Sequence, residues 1–130
     1  MRFVVNPGEI EAWKLTEGGE IKIVANGPQM TAVMSQWEAG SKFQLHSHPH
    51  EQIAICLRGK AIFTIDGQDY KVKIGDIIHI PPSILHTQRN DGEEPAIFFE
   101  CFAPPREDLL KMRFEQKIYS SQTNQGRDRD

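Results

Sequence analysis

"GSKFQLHSHPHEQIAICLRG", residues 40–59, places three of the chain's five histidines within five positions, directly ahead of an apolar, β-branched run. Side chains at positions i and i+2 of a strand point to the same face, so His46 and His48 can direct their imidazoles at one point. Gln52 and His50 share this parity, although the proline before His50 often marks a bulge or an edge. Imidazole nitrogens and an amide oxygen are suitable ligands for a divalent metal. The stretch therefore predicts a metal site, with a polar strand end and exposed histidines as the alternative.

The rest of the chain consists of short apolar or alternating runs separated by turn signals. The nine runs are Glu20–Ala25, Met30–Trp37, Lys42–His48, Gln52–Leu57, Ala61–Ile65, Tyr70–Ile74, Ile77–Ile80, Ile84–Gln88 and Ala96–Phe102. Regular spacing with Gly, Pro and Asn between the runs is typical of an antiparallel sandwich or barrel. Asp66-Gly67 predicts a tight hairpin, because a type I′ turn needs residues that tolerate positive φ. We therefore expect an all-β domain.

The end of the chain differs from this pattern. A proline at position 105, followed by two acidic residues and then by Leu109, Leu110 and Met112, predicts a short helix. The last residues have no apolar anchor, which predicts disorder. We assign residues 1–116 to a single domain and residues 117–130 to a disordered tail.

Composition restricts the partners and the location. The 130 residues carry a net charge of -3, which argues against nucleic acid or an anionic membrane as the main partner. No apolar run approaches the roughly 20 residues of a membrane span, and the N-terminus lacks the pattern of a secretory signal. Cys56 and Cys101 both lie in apolar runs, which predicts buried thiols in a reducing compartment, with a disulfide between them as the alternative. A cytoplasmic protein is expected.

Several strands are apolar on both faces, which predicts a partner for their outer faces. In "QIAICL", Ile53, Ile55 and Leu57 point one way, and Ala54 and Cys56 point the other way. A strand with one face in solvent should alternate more cleanly. The outer face is therefore expected to meet another sheet or another subunit, and we predict a homodimer.

A second stretch, "GDIIHIPPSILH" at residues 75–86, places His86 in another apolar run. Together the two stretches resemble the cupins, which are small jelly-roll barrels that hold one metal ion. The first cupin motif is matched by Gly40, His46, His48, Gln52 and Gly59, with glutamine where an acid is usual. The second motif is matched by Gly75, Pro81, His86 and Asn90, with Ser83 where glycine is usual. The resemblance implies a single-domain, all-β jelly-roll barrel.

The resemblance also implies a ligand set of His46, His48, Gln52 and His86 around one divalent ion, whether iron, manganese, nickel, cobalt or zinc. His50 is then not a ligand, and we expect His79 to be a half-buried strand residue unrelated to the site. Three neutral imidazoles and a neutral amide leave the ion its full formal 2+ charge, which polarises bound oxygen strongly. Gln52 therefore favours Lewis-acid chemistry over oxidation.

Glu100 is an acid inside the apolar run "AIFFECF", where it shares its parity with Phe98 and Phe102. A buried carboxylate must be paired, protonated or functional, and beside a metal it is suited to general acid/base chemistry. The alternative is an ion pair at the barrel rim. The cations that could form it are Arg58, Lys60 and Arg89.

Arg106 follows Phe102 by four residues and could fold back over the mouth of the pocket. A guanidinium there would bind a substrate carboxylate bidentately, whereas the alternative is a solvated loop arginine.

One subgroup of cupins is especially similar to the chain. "HSHPHEQ" and "ECFAPPRED" resemble the cupins of pectin and alginate breakdown that linearise 4,5-unsaturated monouronates, in which three residues near the metal follow a D-x-F-x-x-x-R pattern. Glu100, Phe102 and Arg106 match it, with Glu in place of Asp. The resemblance implies that Glu100 carries a proton, Arg106 clamps the carboxylate and Phe102 packs on the sugar.

Two other functions remain open at this point. The first is a metal-dependent dioxygenase, which would stop without oxygen. The second is a non-catalytic cupin that binds a sugar or another metabolite, which would show saturable affinity and no product.

Overall fold

The computed structural model describes residues 3–116 and contains, within them, nine β-strands in two antiparallel sheets. The strands are β1 Trp13–Thr16, β2 Gly19–Asn26, β3 Thr31–Trp37, β4 Glu51–Arg58, β5 Lys60–Ile65, β6 Gln68–Lys73, β7 Ile77–Ile80, β8 His86–Arg89 and β9 Ala96–Ala103. The larger sheet has the order β1-β2-β3-β9-β4-β7, and the smaller has the order β6-β5-β8. A 3₁₀ turn at Pro7–Glu9 precedes the strands, and residues 107–116 form a helix, α1. The predicted all-β jelly-roll fold is confirmed.

Eight of the nine predicted strands are present within a few residues of their expected bounds, but the prediction of a strand over Lys42–His48 is wrong. That segment runs beside β8 and makes only isolated bridges, at Lys42 and His46. The carbonyl of Phe43 accepts a hydrogen bond from the side-chain hydroxyl of Thr87 on β8. This side-chain contact lies within a segment that forms no continuous backbone ladder with β8. β1 is a strand that the sequence pattern did not reveal.

The hairpin between β5 and β6 is confirmed. Asp66 and Gly67 have φ values of 51° and 80°, the pair of positive angles that a type I′ turn requires. The helix predicted after Pro105 is also confirmed, as α1. Its buried Leu109 packs with Trp13 and Phe102. The predicted disorder of residues 117–130 lies outside the described residues.

β9 lies in the middle of the larger sheet, between β3 and β4. Its side chains alternate so that Phe98, Glu100 and Phe102 are buried on the inner face. The two residues directly opposite Glu100 are Val33 on β3 and Ala54 on β4, and both are apolar. A carboxyl group at this position must therefore find its polar partners along the diagonals of the sheet.

The outer face of the same sheet is apolar and exposed. Ile53 and Leu57 on β4 retain 51% and 46% of their surface, and Ile77 on β7 retains 68%. Within residues 3–116 no second sheet covers these side chains, so a contact with a partner subunit stays a prediction. Cys56 is buried, Cys101 is partly exposed, and both are free thiols, which rules out the alternative of a disulfide. None of the helical segments among these residues has the length and apolar character needed to traverse a bilayer.

Candidate metal and active site

Three histidines from two separate segments converge between the sheets. His46 and His48 come from the irregular segment before β4, and His86 begins β8. Each offers one ring nitrogen, and these three nitrogens lie within 4.8 Å of one another. The backbones are joined by hydrogen bonds in both directions between His46 and His86, at 3.0 and 2.8 Å. A further backbone hydrogen bond, from the Ser83 amide to the His48 carbonyl at 2.8 Å, joins the same two segments.

Each imidazole is held in one tautomer by a carbonyl two residues away. The Nδ1 atoms of His46, His48 and His86 lie 2.9, 3.0 and 2.8 Å from the carbonyl oxygens of residues 44, 50 and 84. A carbonyl only accepts, so each neutral ring must carry its hydrogen on Nδ1 and present an unshared pair on Nε2. Three preset Nε2 lone pairs at a common point are the arrangement that a divalent metal uses.

Gln52 brings an oxygen to the same point. Its Oε1 lies 3.2 Å from His48 Nε2, while its amide nitrogen donates to Glu100 Oε1 at 2.6 Å. Because His48 has used its hydrogen at Nδ1, two unshared pairs face each other across this gap. A bound cation would turn that repulsion into ligation, so His46, His48, Gln52 and His86 fit a divalent metal. The structure brings together all four of the ligands implied by the cupin resemblance.

The surroundings keep the imidazoles neutral. Burial lowers the pKa of His48 to about 4, and the Arg106 guanidinium and His86 add to this effect. Burial also lowers the pKa of His46 and of His86. Neutral imidazole is the form that binds a metal, so at neutral pH little proton competition is expected.

Glu100 lies beside the ligands and is fully enclosed. Both carboxyl oxygens accept hydrogen bonds, one from Gln52 and the other from the Ser35 hydroxyl at 2.8 Å. Burial raises the pKa of the Glu100 carboxyl, and the two hydrogen bonds oppose that rise. Within residues 3–116, no ion pair joins Glu100 to Arg58, Lys60 or Arg89, and Arg89 instead bonds to Asp69 at 3.1 Å.

Arg106 lies over the ring of Phe102, with its guanidinium carbon 4.5 Å from the ring centre. Its backbone amide donates to the buried Thr31 hydroxyl at 2.9 Å, which fixes the loop before α1. The Nε and Nη2 atoms donate to the carboxylate of Asp108 at 3.0 and 2.9 Å. This uses one edge of the guanidinium and leaves the Nη1 edge without a hydrogen-bond partner among residues 3–116.

These groups line one cavity of about 460 Å³ between the two sheets. The four ligands, Glu100, Phe102 and Arg106 all contribute to its wall. The volume is within the range of small-molecule sites. The cavity therefore combines a place for a metal, a buried carboxyl group and a cation.

Two histidines lie outside this arrangement. His50 contributes no nitrogen to the shared point, and its Nδ1 is buried without a hydrogen-bond partner among the described residues. His79 is exposed on β7, not half-buried as expected, and pairs with Glu51 at 2.7 Å. Neither belongs to the group of nitrogens that could hold an ion.

Sequence reasoning missed two polar residues of the site. Ser35 lies in the run "TAVMSQW", where nothing local distinguishes it from an ordinary strand serine. The sequence pattern predicts Asp108 only as one of the two acidic residues in the first turn of a helix. Its position two residues after Arg106 is a signal that could have indicated the pairing.

Comparison with known proteins agrees with this geometry. Residues 33–102, more than half of the chain, match the family model described as "Cupin domain". The uncharacterized protein MJ1618 of Methanocaldococcus jannaschii is 40% identical over 67 residues, which are 51% of this chain and 54% of that protein. Quercetin 2,3-dioxygenase of Bacillus subtilis is 29% identical over 84 residues, covering 64% of this chain and 22% of the enzyme. The chain thus spans about half or less of these relatives.

Among solved structures, KdgF from Halomonas sp. superposes with a TM-score of 0.78 at 24% identity, covering 84% of this chain and 99% of that one. At this identity the likeness shows the fold. The matched family model, the two antiparallel sheets and the three converging histidines lead to one conclusion, that the chain belongs to the cupin family.

Proposed function

We propose that the protein is a metal-dependent enzyme that acts on a small sugar acid, by a reaction of the kind that linearises 4,5-unsaturated monouronates. One observation carries the proposal. The buried Glu100 is bonded at 2.6 Å to Gln52, in the same cavity as three converging imidazoles and Arg106. A metal, a proton carrier and a cation for a carboxylate are the three groups that this chemistry needs.

When bound, a divalent ion at His46, His48, Gln52 and His86 supplies Lewis acidity to the oxygens that coordinate it. The substrate carboxylate is assigned to Arg106. Asp108 occupies the Nε and Nη2 edge of the guanidinium, so the free Nη1 edge is the one offered to a second carboxylate. Burial of this cation strengthens its attraction for an anion relative to a solvated arginine.

Glu100 is assigned the proton transfer. In the linearisation, the bond between the anomeric carbon and the ring oxygen breaks, the anomeric hydroxyl loses a proton, and the enol gains one at carbon as it becomes a ketone. The formula of the sugar does not change, and one carboxyl group can accept the first proton and deliver the second. Glu100 is suited to this role because it is enclosed and reaches the cavity wall.

Phe102 has a narrower role than the resemblance implies. It is buried, and the guanidinium of Arg106 lies over its ring. We assign it to supporting Arg106, with only its cavity-lining part in contact with a sugar.

Replacement of Glu100 by glutamine tests the proposal. Glu100→Gln should keep the metal and lower turnover by about 10²–10⁴-fold, the usual value of a general acid/base. Turnover is followed by the loss of absorbance from the conjugated double bond of an unsaturated uronate, and metal content is measured on the same sample. Glu51→Gln, which changes an exposed glutamate of the outer face, is the matched control. Full activity of Glu100→Gln would remove the proposed proton carrier.

A second candidate is a metal-dependent dioxygenase, which the similarity to quercetin 2,3-dioxygenase favours. It would use the same ligand set. An assay in the absence of oxygen distinguishes the two functions, because the isomerisation continues there and oxygenation stops.

A further inference from the structure

A buried chain of hydrogen bonds joins the Glu100 carboxyl group to Ser35 and Trp37, and the Trp37 ring also lines the cavity. Trp37 Nε1 donates to Ser35 Oγ at 3.1 Å, and Ser35 Oγ donates to Glu100 Oε2 at 2.8 Å. All three residues are at most 5% exposed. An indole N–H can only donate, so it occupies an unshared pair of the serine oxygen and leaves the hydroxyl hydrogen for the carboxyl group. The hydrogen bonds therefore run in one direction, from Trp37 to Ser35 and from Ser35 to Glu100.

The sheet geometry explains why these residues meet. The neighbours directly opposite Glu100, Val33 and Ala54, offer no polar atom. Ser35 lies one inward position along β3, and Gln52 lies one inward position along β4, on the opposite side of β9. Each carboxyl oxygen thus receives one donor, from opposite neighbouring strands, and the carboxyl plane is fixed from both sides.

We propose that Ser35, itself oriented by Trp37, is a positioning residue that holds the Glu100 carboxyl group in its reactive place at the cavity wall. The proposal rests on the proposed function, in which Glu100 carries the proton. Glutamate has one more rotatable bond than the aspartate of the resembled pattern. A side chain with that additional freedom needs an anchor to stay within about 0.5 Å of a productive geometry. Ser35 supplies the anchor on the oxygen that Gln52 does not reach.

The test compares four variants. Ser35→Ala removes the donor, Ser35→Thr keeps a hydroxyl, and Trp37→Phe keeps an aromatic ring without the N–H. Val72→Ala is the control for a simple loss of core packing, because Val72 lies in the same core cluster as Trp37 but does not line the cavity. Each is loaded with metal and assayed for kcat and KM on an unsaturated uronate.

Ser35→Ala should lower kcat by roughly 10–100-fold, the cost of a misplaced reacting group, while KM and metal content stay close to those of the wild type. Ser35→Thr should recover most of kcat, and Trp37→Phe should fall between the two. A kcat for Ser35→Ala as high as that of Val72→Ala, or a change in KM alone, would overturn the proposal.

A second measurement needs neither substrate nor metal. Urea unfolding of the metal-free single variants Ser35→Ala and Glu100→Leu, and of the double variant, gives the coupling between the two side chains, because neither replacement can make the hydrogen bond. We expect the unfolding constants to depart from additivity by about fivefold or more, and additive effects would contradict a direct contact. A wild-type protein without activity on uronates would overturn the proposed function and the catalytic part of this inference, whereas the coupling decides the contact between Ser35 and Glu100 by itself.

Discussion

The cavity has two polar halves that are held in different ways. The metal half consists of His46, His48 and His86, and the proton half consists of Glu100 with its hydrogen-bond partners Ser35 and Gln52. Each imidazole of the metal half is oriented by a carbonyl two residues away, and its Nε2 is left open. In the proton half, Glu100 has both oxygens engaged, by partners 65 and 48 positions away in the chain. The metal half is thus built from local segments, whereas the proton half exists only when β3, β9 and β4 are correctly aligned. Substitutions in the two halves should therefore have different effects, on metal affinity in the metal half and on stability in the proton half.

The largest effect is expected from the loss of an imidazole. His86→Ala removes the ligand that comes from the second segment, and metal affinity should fall by more than about 100-fold, since loss of an outer partner alone costs 10–100-fold. Competition with a chromophoric chelator measures this affinity. His79→Ala, which removes an exposed imidazole of the outer face, is the control and should bind metal as the wild type does. Tight stoichiometric binding by His86→Ala would contradict the assigned ligand set.

The metal half could largely be predicted from the sequence, because its signals are local. The histidine cluster and the two motifs that resemble the cupins named His46, His48, Gln52 and His86, and alternation of apolar residues located eight of the strands. The strand parity expected for His46 and His48 does not apply, because their segment makes only isolated bridges. The irregular course of Lys42–His48 could not be predicted, because a pattern of apolar residues does not specify whether a segment forms a continuous ladder with a particular strand or only isolated bridges. β1 was missed because it is only four residues long and only one of them is buried.

The proton half could be predicted only in part. Glu100 stands out as an acid in an apolar run, but its partner Ser35 has no local signal, since the two meet only across paired strands. The position of Arg106 in the cavity depends on the contact of its amide with Thr31, 75 positions earlier. Contacts of this length are set by sheet register, which a pattern of apolar residues does not specify between particular strands.

Gln52 contacts both halves, through His48 and through Glu100, so a charged residue in its place should disturb both. Gln52→Glu places a second carboxyl group against Glu100 and removes the donor that is now at 2.6 Å. In the metal-free protein we expect the free energy of unfolding to fall by roughly 2–4 kcal/mol at pH 8, because two buried carboxylates repel and a hydrogen bond to a carboxyl oxygen is lost. Urea unfolding measures the change.

Added metal should restore part of the stability of Gln52→Glu, because binding to the folded state alone stabilises it. A more acidic buffer should also help, since protonation of one carboxyl group relieves the repulsion. Stability equal to that of the wild type at pH 8 without metal would show that Gln52 and Glu100 are not in contact.

The two halves should also respond to pH with opposite signs. The pKa of His48 is about 4 in the folded protein and close to 6.5 in the unfolded chain, so between these values only the unfolded chain takes up the proton. Stability from His48 is therefore complete above pH 6.5 and is lost as the pH falls towards 4, and His46 and His86 act in the same direction. Glu100, whose pKa is raised in the folded protein, instead loses stability as the pH rises.

Urea midpoints of the metal-free protein at pH 7.5 and pH 5 measure this balance. We expect a lower midpoint at pH 5, and a larger drop in Glu100→Gln, because that variant removes the opposing contribution. A midpoint that does not change with pH in either protein would contradict the buried, neutral state of the imidazoles.

The smallest effect is expected at His50, which lies beside the metal site but contributes no ligand to it. His48 Nδ1 is oriented by the carbonyl of residue 50, and a backbone carbonyl is present whatever side chain residue 50 carries. The ring of His50 lies 5.4 Å from that of His48 and contributes no nitrogen to the shared point. His50→Asn should therefore change metal affinity by less than about tenfold, below the cost of losing a partner that orients a ligand. Chelator competition beside His86→Ala makes the comparison, and a loss as large as that of His86→Ala would extend the metal half to a fourth imidazole.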